Sequence, residues 1–351
     1  MISNFYFQNS VRGKNNNFDN VRLGLALIVF FSHAVGLSNE SDLTVFSRFF
    51  DANFAVKGFF AISGYLIYQS YIKSHGLLDY LEKRIRRIYP AYFLAIIICL
   101  LIGILTSSLG WINIITSHKT IAYVLSNLVF LNFMQPTLPG VFEGNSVQAL
   151  NGALWTIKVE LMLYACVPII AYLFKKINPV LNFLWILCIG TFWVFYFEKI
   201  SAFSFSAEIA RQFPGQLPYF VFGSLIAANP KFIKWLPQIA ILGFFTLLAT
   251  DDYTLSLCVR PLAFGAIILS LCMLNPSKLN IGRAGDFSYG IYLFHFPMVQ
   301  LMLNIGLYKY NPYLGLLSTF VLTVLLSFIS WHFVEKRFLK RNSHYLELNA
   351  R

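Results

Sequence analysis

Residues 18–37 read FDNVRLGLALIVFFSHAVGL. The stretch is apolar and long enough to cross a bilayer as a helix, yet Arg22 stands near its start and His33 near its end. Eleven residues of α-helix return to within about 20° of the same face and climb roughly 16 Å. One helix therefore presents a permanent cation at one depth and a titratable imidazole at another, facing the same way. Ionisable groups in a span are costly and face a protein interior or a watery cavity, so this pair marks a functional site.

The 351 residues are 57% hydrophobic and 12% charged, and long apolar runs with short polar breaks recur from end to end. That pattern describes an all-α polytopic membrane protein; a β-barrel would alternate at period two, which these runs do not. The net charge of +12 lies almost wholly in short loops, where it reads as topology rather than as nucleic-acid binding. Residues 1–18 lack the apolar core of a signal peptide, so the first span is expected to be retained as the start of one integral-membrane domain, 1–351. Cys99, Cys166, Cys188, Cys258 and Cys272 lie in or beside apolar runs without ligand spacing. They read as packing residues, and neither a metal nor a permanently bound cofactor is expected.

About ten spans are expected, near 20–37, 53–71, 90–109, 153–173, 181–197, 214–228, 236–250, 255–274, 286–306 and 313–333. The loop Lys73–Tyr89 carries Lys73, Lys83, Arg84, Arg86 and Arg87 and should be cytoplasmic, with the N terminus on the same side. Lys175–Lys176, Lys231 and Lys234, Lys278 and Arg283, and the basic tail 335–351 then also fall inside. This holds if Ile121–Met134, short and interrupted by Ser126, Asn127 and Asn132, is a re-entrant or interfacial helix on the outer side. The following segment, Gln135–Gly152, becomes an outer loop that could cover a site.

That topology assigns depths. His33 and Glu160 lie about 7–11 Å below the outer boundary, and Lys57, Lys158 and Arg260 fall at comparable or shallower levels, so five ionisable residues could share one layer. The inner half holds Arg22 and the run EKRIRRIYP, in which Arg84 and Arg87 would be helix-face neighbours. Arginine forks suit phosphate, although positive-inside signals have the same composition. FFAISGYLI, residues 59–67, with Ala61, Ser63 and Gly64, reads as a close helix-packing seam. Ser288, Tyr292 and His295 in DFSYGIYLFHFP follow helical spacing beside Tyr289, and Trp155 reads as an interfacial anchor.

Taken together, these segments resemble the membrane acyltransferase-3 family, whose members O-acylate sugars and other acceptors at bacterial envelopes. The ordered matches are Arg22 with ten residues before His33, FFAISGYLI, RIRRIYP, LWTIKVELMLY, GSLIA after YFVF, and SYGIYLFHFP. No single pattern is specific, but their order across nearly the whole chain is. The resemblance implies that His33 is the catalytic histidine, that Glu160 is a functional acid, and that Arg22, Arg84 and Arg87 serve acyl-CoA. It implies ten spans with both termini cytoplasmic, in a bacterial inner membrane. Many members place an aspartate just before the FF pair, where this chain has Lys57 and Gly58. Members with an SGNH hydrolase-like domain continue further, so the stand-alone form is expected here.

The expected reaction moves an acetyl group from cytoplasmic acetyl-CoA to a hydroxyl of an outer carbohydrate, lipid-linked or part of an envelope glycan. The rise from Arg22 to His33 is of the order of the pantetheine arm. His33 would serve as general base or as a covalent nucleophile, and Glu160 could orient its imidazole. Lys57, Ser63, Trp155, Lys158, Arg260, Tyr289 and His295 are the candidates for the acceptor or transition-state site. A secondary transporter or lipid-linked sugar flippase would also carry polar residues in a helix core, but should show internal repeats, and no convincing one is visible.

Overall fold

The computed structural model describes residues 16–273 and 285–340. The N-terminal tail to residue 15, the loop residues Lys278 and Arg283, and the tail from Arg341 onward lie outside the described residues. Among the described residues there is helix and no strand. The long helices are α1 (Phe18–Ser38), α2 (Ala52–Ile72), α3 (Leu77–Thr106), α4 (Trp155–Lys176), α5 (Pro179–Phe195), α6 (Phe213–Ala228), α7 (Leu236–Ala249), α8 (Tyr253–Met273), α9 (Phe287–Asn304) and α10 (Pro312–Ile329). Each falls on a stretch expected to span. Among the described residues, seven helical segments are long and apolar enough to cross a membrane: those containing α1, α3, α4, α5, α7, α8 and α10. The chain is thus an all-α polytopic membrane protein.

Of the three helices outside that group, α6 has only 16 residues, and all three are enclosed to a large extent. In α6 every residue from Pro218 to Ile226 is buried, in α9 every residue from Gly290 to Gln300, and α2 is buried along much of its length. A helix enclosed by protein has no lipid to satisfy, so polar side chains with partners are tolerated there.

Two expectations need correcting. The loop Lys73–Tyr89 is mostly helix: α3 begins at Leu77 and runs through Pro90 without a break. The Glu, Lys and Arg of the basic run are good helix formers, and the turn is displaced to Ser74–Gly76, where Gly76 has φ +140°, open to glycine alone. The helix expected over 121–134 is instead His118–Leu128, eleven residues preceded by the short helix Trp111–Thr116. It spans about 16 Å, half a bilayer core. Its faces are inverted: Ile121, Leu125 and Val129 are exposed while Thr120, Tyr123 and Asn127 are buried. Apolar residues turned outward suit a helix lying against lipid.

The chain forms two compact units. The first is Met1–Arg22, Val56–Tyr80 and Val159–Asn280; the second is Leu23–Ala55, Leu81–Lys158 and Ile281–Arg351. In the first, α6 packs between α5 and α8 and is crossed by α2 at backbone contact. A Cβ on Gly64 would lie 1.9 Å from the Phe220 carbonyl oxygen, and one on Gly223 would lie 2.0 Å from that of Ala61. The Ser224 hydroxyl donates to the Gly64 carbonyl at 3.1 Å. FFAISGYLI is therefore a packing seam, as its small residues suggested.

In the second unit α9 lies along α10. On α10, Gly315, Thr319, Thr323 and Ser327 recur every fourth residue and are buried. Each hydroxyl donates to the carbonyl four residues earlier, Thr319 to Gly315, Thr323 to Thr319 and Ser327 to Thr323. The stripe is thereby small and internally satisfied, which lets α9 approach at Gly290.

Candidate active site

The histidine of α1 meets the histidine of α9. His33 Nδ1 lies 2.8 Å from His295 Nε2, with the rings stacked at 5.0 Å between centroids and 18° between planes. His295 is fully buried, and its Nδ1 lies 3.1 Å from the Ile291 carbonyl one turn back. A carbonyl can only accept, so His295 Nδ1 carries the proton and, in a neutral ring, Nε2 is an acceptor. His33 must then donate from Nδ1, and its own Nε2 is left as a bare lone pair. A hydrogen-bond chain from the α9 backbone thus selects the tautomer of His33 and ends on a basic nitrogen.

The rest of α9 is fixed around that pair. Tyr292 shares a 2.6 Å hydrogen bond with Thr156 at the start of α4, and the Thr156 hydroxyl donates to the Ala153 carbonyl. Asn151 donates to the Leu293 carbonyl at 2.8 Å. Phe296 packs its ring on His33 at 5.5 Å and 70°, and on its other side meets Gly152, where a Cβ would come within 2.6 Å. The outer loop is tied to the same helix. Buried Gln300 donates to the carbonyls of Val147 and Ala149 at 2.5 and 2.8 Å, and Asn145 donates to the Gln300 side chain at 3.0 Å. Ser146 donates to the Leu37 carbonyl, one turn beyond His33 on α1. Gln135–Gly152 is held at its C-terminal half by the two helices that carry the histidines.

Glu160 lies in the other unit. It accepts on Oε1 from the Ser63 hydroxyl at 3.1 Å and from the Tyr164 hydroxyl one turn along α4. Two hydroxyls are among its partners, and the partner found on His33 is a second imidazole. Lys57, also in this unit, stands over the rings of Tyr219 and Phe264 at 5.5 and 6.0 Å, a cation–π setting. Arg260 lies within electrostatic reach of Tyr219 and Tyr253. Lys158, in the second unit, stands 4.4 Å over Phe133, and Trp155 is half-buried at the first turn of α4. Of the five ionisable residues, His33 and Lys158 belong to one unit and Lys57, Glu160 and Arg260 to the other.

At the other end of α1, Arg22 pairs with Asp19 at 2.5 Å. Arg87 pairs with Asp286 and, at 2.7 Å, with Glu335. Tyr289, expected near the acceptor, belongs to this arginine: its ring lies 5.2 Å from the guanidinium and its hydroxyl donates to the Ile88 carbonyl at 3.0 Å. Sequence reading missed Thr156, Asn151, Gln300, Phe296, Asp286 and Glu335. Two left a signal: Asp286 stands two residues before the start of SYGIYLFHFP, and Glu335 is an acid at the head of a basic run. Among the described residues no group of three or more His, Cys, Asp and Glu could hold a metal.

The family profile described as "Acyltransferase domain" matches residues 15–332. An O-acetyl transferase of Shigella phage Sf6 is 30% identical over 356 residues, covering 96% of this chain and 99% of its own. Nodulation protein 10 of Rhizobium leguminosarum bv. viciae is 26% identical over 367 residues, covering 93% and 94%. No solved structure matches the chain.

Proposed function

The chain belongs to the acyltransferase-3 family, and we propose that it transfers an acetyl group from cytoplasmic acetyl-CoA to a hydroxyl of a carbohydrate presented at the outer side of the membrane. Membership makes it an acyltransferase with several membrane-spanning helices. The acetyl group follows the name of the phage relative, which covers nearly the whole chain. The observation that carries the catalytic reading is the bond between His33 and His295, anchored on Ile291, which leaves His33 Nε2 unprotonated.

In this reading His33 Nε2 takes the proton of the acceptor hydroxyl as its oxygen attacks the thioester carbonyl. The C–O bond forms, the tetrahedral intermediate breaks its C–S bond, and the imidazolium returns the proton to the departing thiolate. Imidazolium charge on His33 is delocalised toward His295 through the Nδ1–Nε2 bond. The same lone pair would serve covalent transfer, in which Nε2 itself takes the acetyl group before the acceptor does. Arg22 and Arg84 are the arginines assigned to the donor's phosphates, and the roughly 16 Å between Arg22 and His33 along α1 matches an extended thiol arm. Glu160, with Ser63 and Tyr164, contributes a fixed negative charge. The tethered loop Gln135–Gly152 is the selector of the acceptor.

The test is transfer of radiolabel from acetyl-CoA to envelope glycan in membranes carrying the wild-type chain or His33→Ala. Wild type should label a glycan fraction, and His33→Ala should lose about 10²–10⁴-fold. Equal labelling by the two would remove His33 from catalysis; solute uptake without acetyl transfer would replace the reading by a transporter. Acid-quenched protein that retains label on His33 would select the covalent route.

A further inference from the structure

The resemblance assigns Arg87 to the donor's phosphates, but its guanidinium is already engaged on both forks. One Nη meets Asp286 and the other meets Glu335 at 2.7 Å, and the two carboxylate side chains are 2% and 1% exposed. Each acid has a hydroxyl donor of its own: Ser288 on Asp286 at 2.5 Å and Ser330 on Glu335 at 2.8 Å. The guanidinium also lies 5.2 Å from the Tyr289 ring and 5.9 Å from that of Trp331. A phosphate seated on Arg87 would compete with two buried carboxylates that already neutralise it, and displacing either would strand a buried charge, which is strongly unfavourable. A clamp of this kind joins three segments: α3 through Arg87, the start of α9 through Asp286, and the π-helical Ser330–Glu335 continuing α10 through Glu335.

What the clamp controls follows from the environment of α9. An apolar helix among lipid tails and apolar neighbours has little to stop it sliding or turning, and directional polar contacts set its register. A slip of one residue would shift α9 by about 1.5 Å and turn it by about 100°, carrying His295 away from His33. The pins are Asp286 on Arg87 and Tyr289 on the Ile88 carbonyl at the helix start, Tyr292 on Thr156 and Leu293 on Asn151 midway, and Gln300 on the outer loop. His295 lies between the last two groups. We infer that Arg87 is a positioning residue which, through Asp286 and Glu335, fixes the register of α9 and so the meeting of His295 with His33, and is not a ligand of the acyl donor. Its activity readouts rest on the acyltransferase reading; its structural readout does not.

The experiment uses the full chain in detergent, as wild type, Arg87→Lys, Glu335→Gln, Arg87→Glu and the swap Arg87→Glu with Glu335→Arg. Coenzyme A binding, kcat and KM for acetyl-CoA, and the pH profile of kcat are measured. In parallel, each clamp variant except the swap is combined with Leu293→Cys, a fully buried site on α9, and N-ethylmaleimide labelling is read by peptide mass spectrometry. Lysine lacks the planar fork that sets one Nη on each carboxylate, so Arg87→Lys and Glu335→Gln should each lower kcat by about 10–100-fold, displace the pH profile and leave coenzyme A binding within about twofold. Labelling at position 293 should rise about tenfold as α9 loosens locally, with buried Cys99 and Cys272 unchanged. The swap should recover at least about tenfold over Arg87→Glu. The proposal is overturned if Arg87→Lys weakens coenzyme A binding about tenfold while Glu335→Gln behaves as wild type. It is equally overturned if position 293 labels no faster, or if Cys99 and Cys272 accelerate with it, which is general unfolding. A wild-type protein that transfers no acetyl group would defeat the acyltransferase reading, while labelling at position 293 would still decide the clamp.

Discussion

The histidine pair and the Glu160 cluster are built from the same kind of material, a motif residue joined to a partner on a distant helix, yet their hydrogen bonds run in opposite senses. From Ile291 through His295 to His33 each acceptor fixes the next donor, and the series ends outward on a lone pair. At Glu160 the hydroxyls of Ser63 and Tyr164 both point inward to one carboxylate oxygen. Two donors converging on one oxygen hold that carboxylate in place. Residue type alone does not show which group is set to exchange a proton; the direction of its hydrogen bonds does.

The comparison can be broken most severely at His33. His33→Ala removes the lone pair, and acetyl transfer should fall by about 10³-fold, read as label per mole of enzyme with membrane abundance measured alongside. His295→Ala keeps the base but frees its tautomer and ring orientation; a loss of about 10²-fold with a displaced pH profile of kcat is expected. An unchanged profile would make His295 only a packing residue. Gly152→Ala should act at one remove. Its Cβ would press on the Phe296 ring that contacts His33, and overpacking of about 1–3 kcal/mol should lower kcat by about tenfold, with Phe296→Leu restoring part of it. The smallest effect belongs to the Glu160 cluster. Glu160→Gln can still accept from both hydroxyls, so transfer should drop by only about two- to fivefold if the carboxylate supplies charge rather than a proton. A loss matching that of His33→Ala would place Glu160 in the proton path and erase the contrast.

Much of this was legible because helical spacing is local. Arg22 and His33 share a helix whatever surrounds it, and the small residues of FFAISGYLI announce a seam that Gly64 and Gly223 then make. The stripe Ser288, Tyr292 and His295 was visible too. Its three members nevertheless serve three separate partners, Asp286, Thr156 and His33, and two of those partners come from helices far away in sequence. The positive run in the first turns of α3 reads by itself as a topology signal, and in the structure its last arginine is neutralised by two acids that stand 199 and 248 residues onward. Charge counting along a chain cannot reveal such pairings, because the attraction acts through space.

The sequence by itself determined that this is an all-helical membrane protein, that His33 rides one face of α1 above Arg22, and which short segments would matter. Apolar length and helical period are properties of single segments, fixed by the geometry of the backbone and the cost of exposing it to lipid. Only the tertiary structure decided that His295 is the partner of His33, that its bond to Ile291 leaves a free nitrogen on His33, and that Arg87 is clamped between Asp286 and Glu335. Those facts depend on how α1, α3 and α9 are set against one another. That setting is made by small-residue seams and directional polar contacts between segments, which no one segment contains.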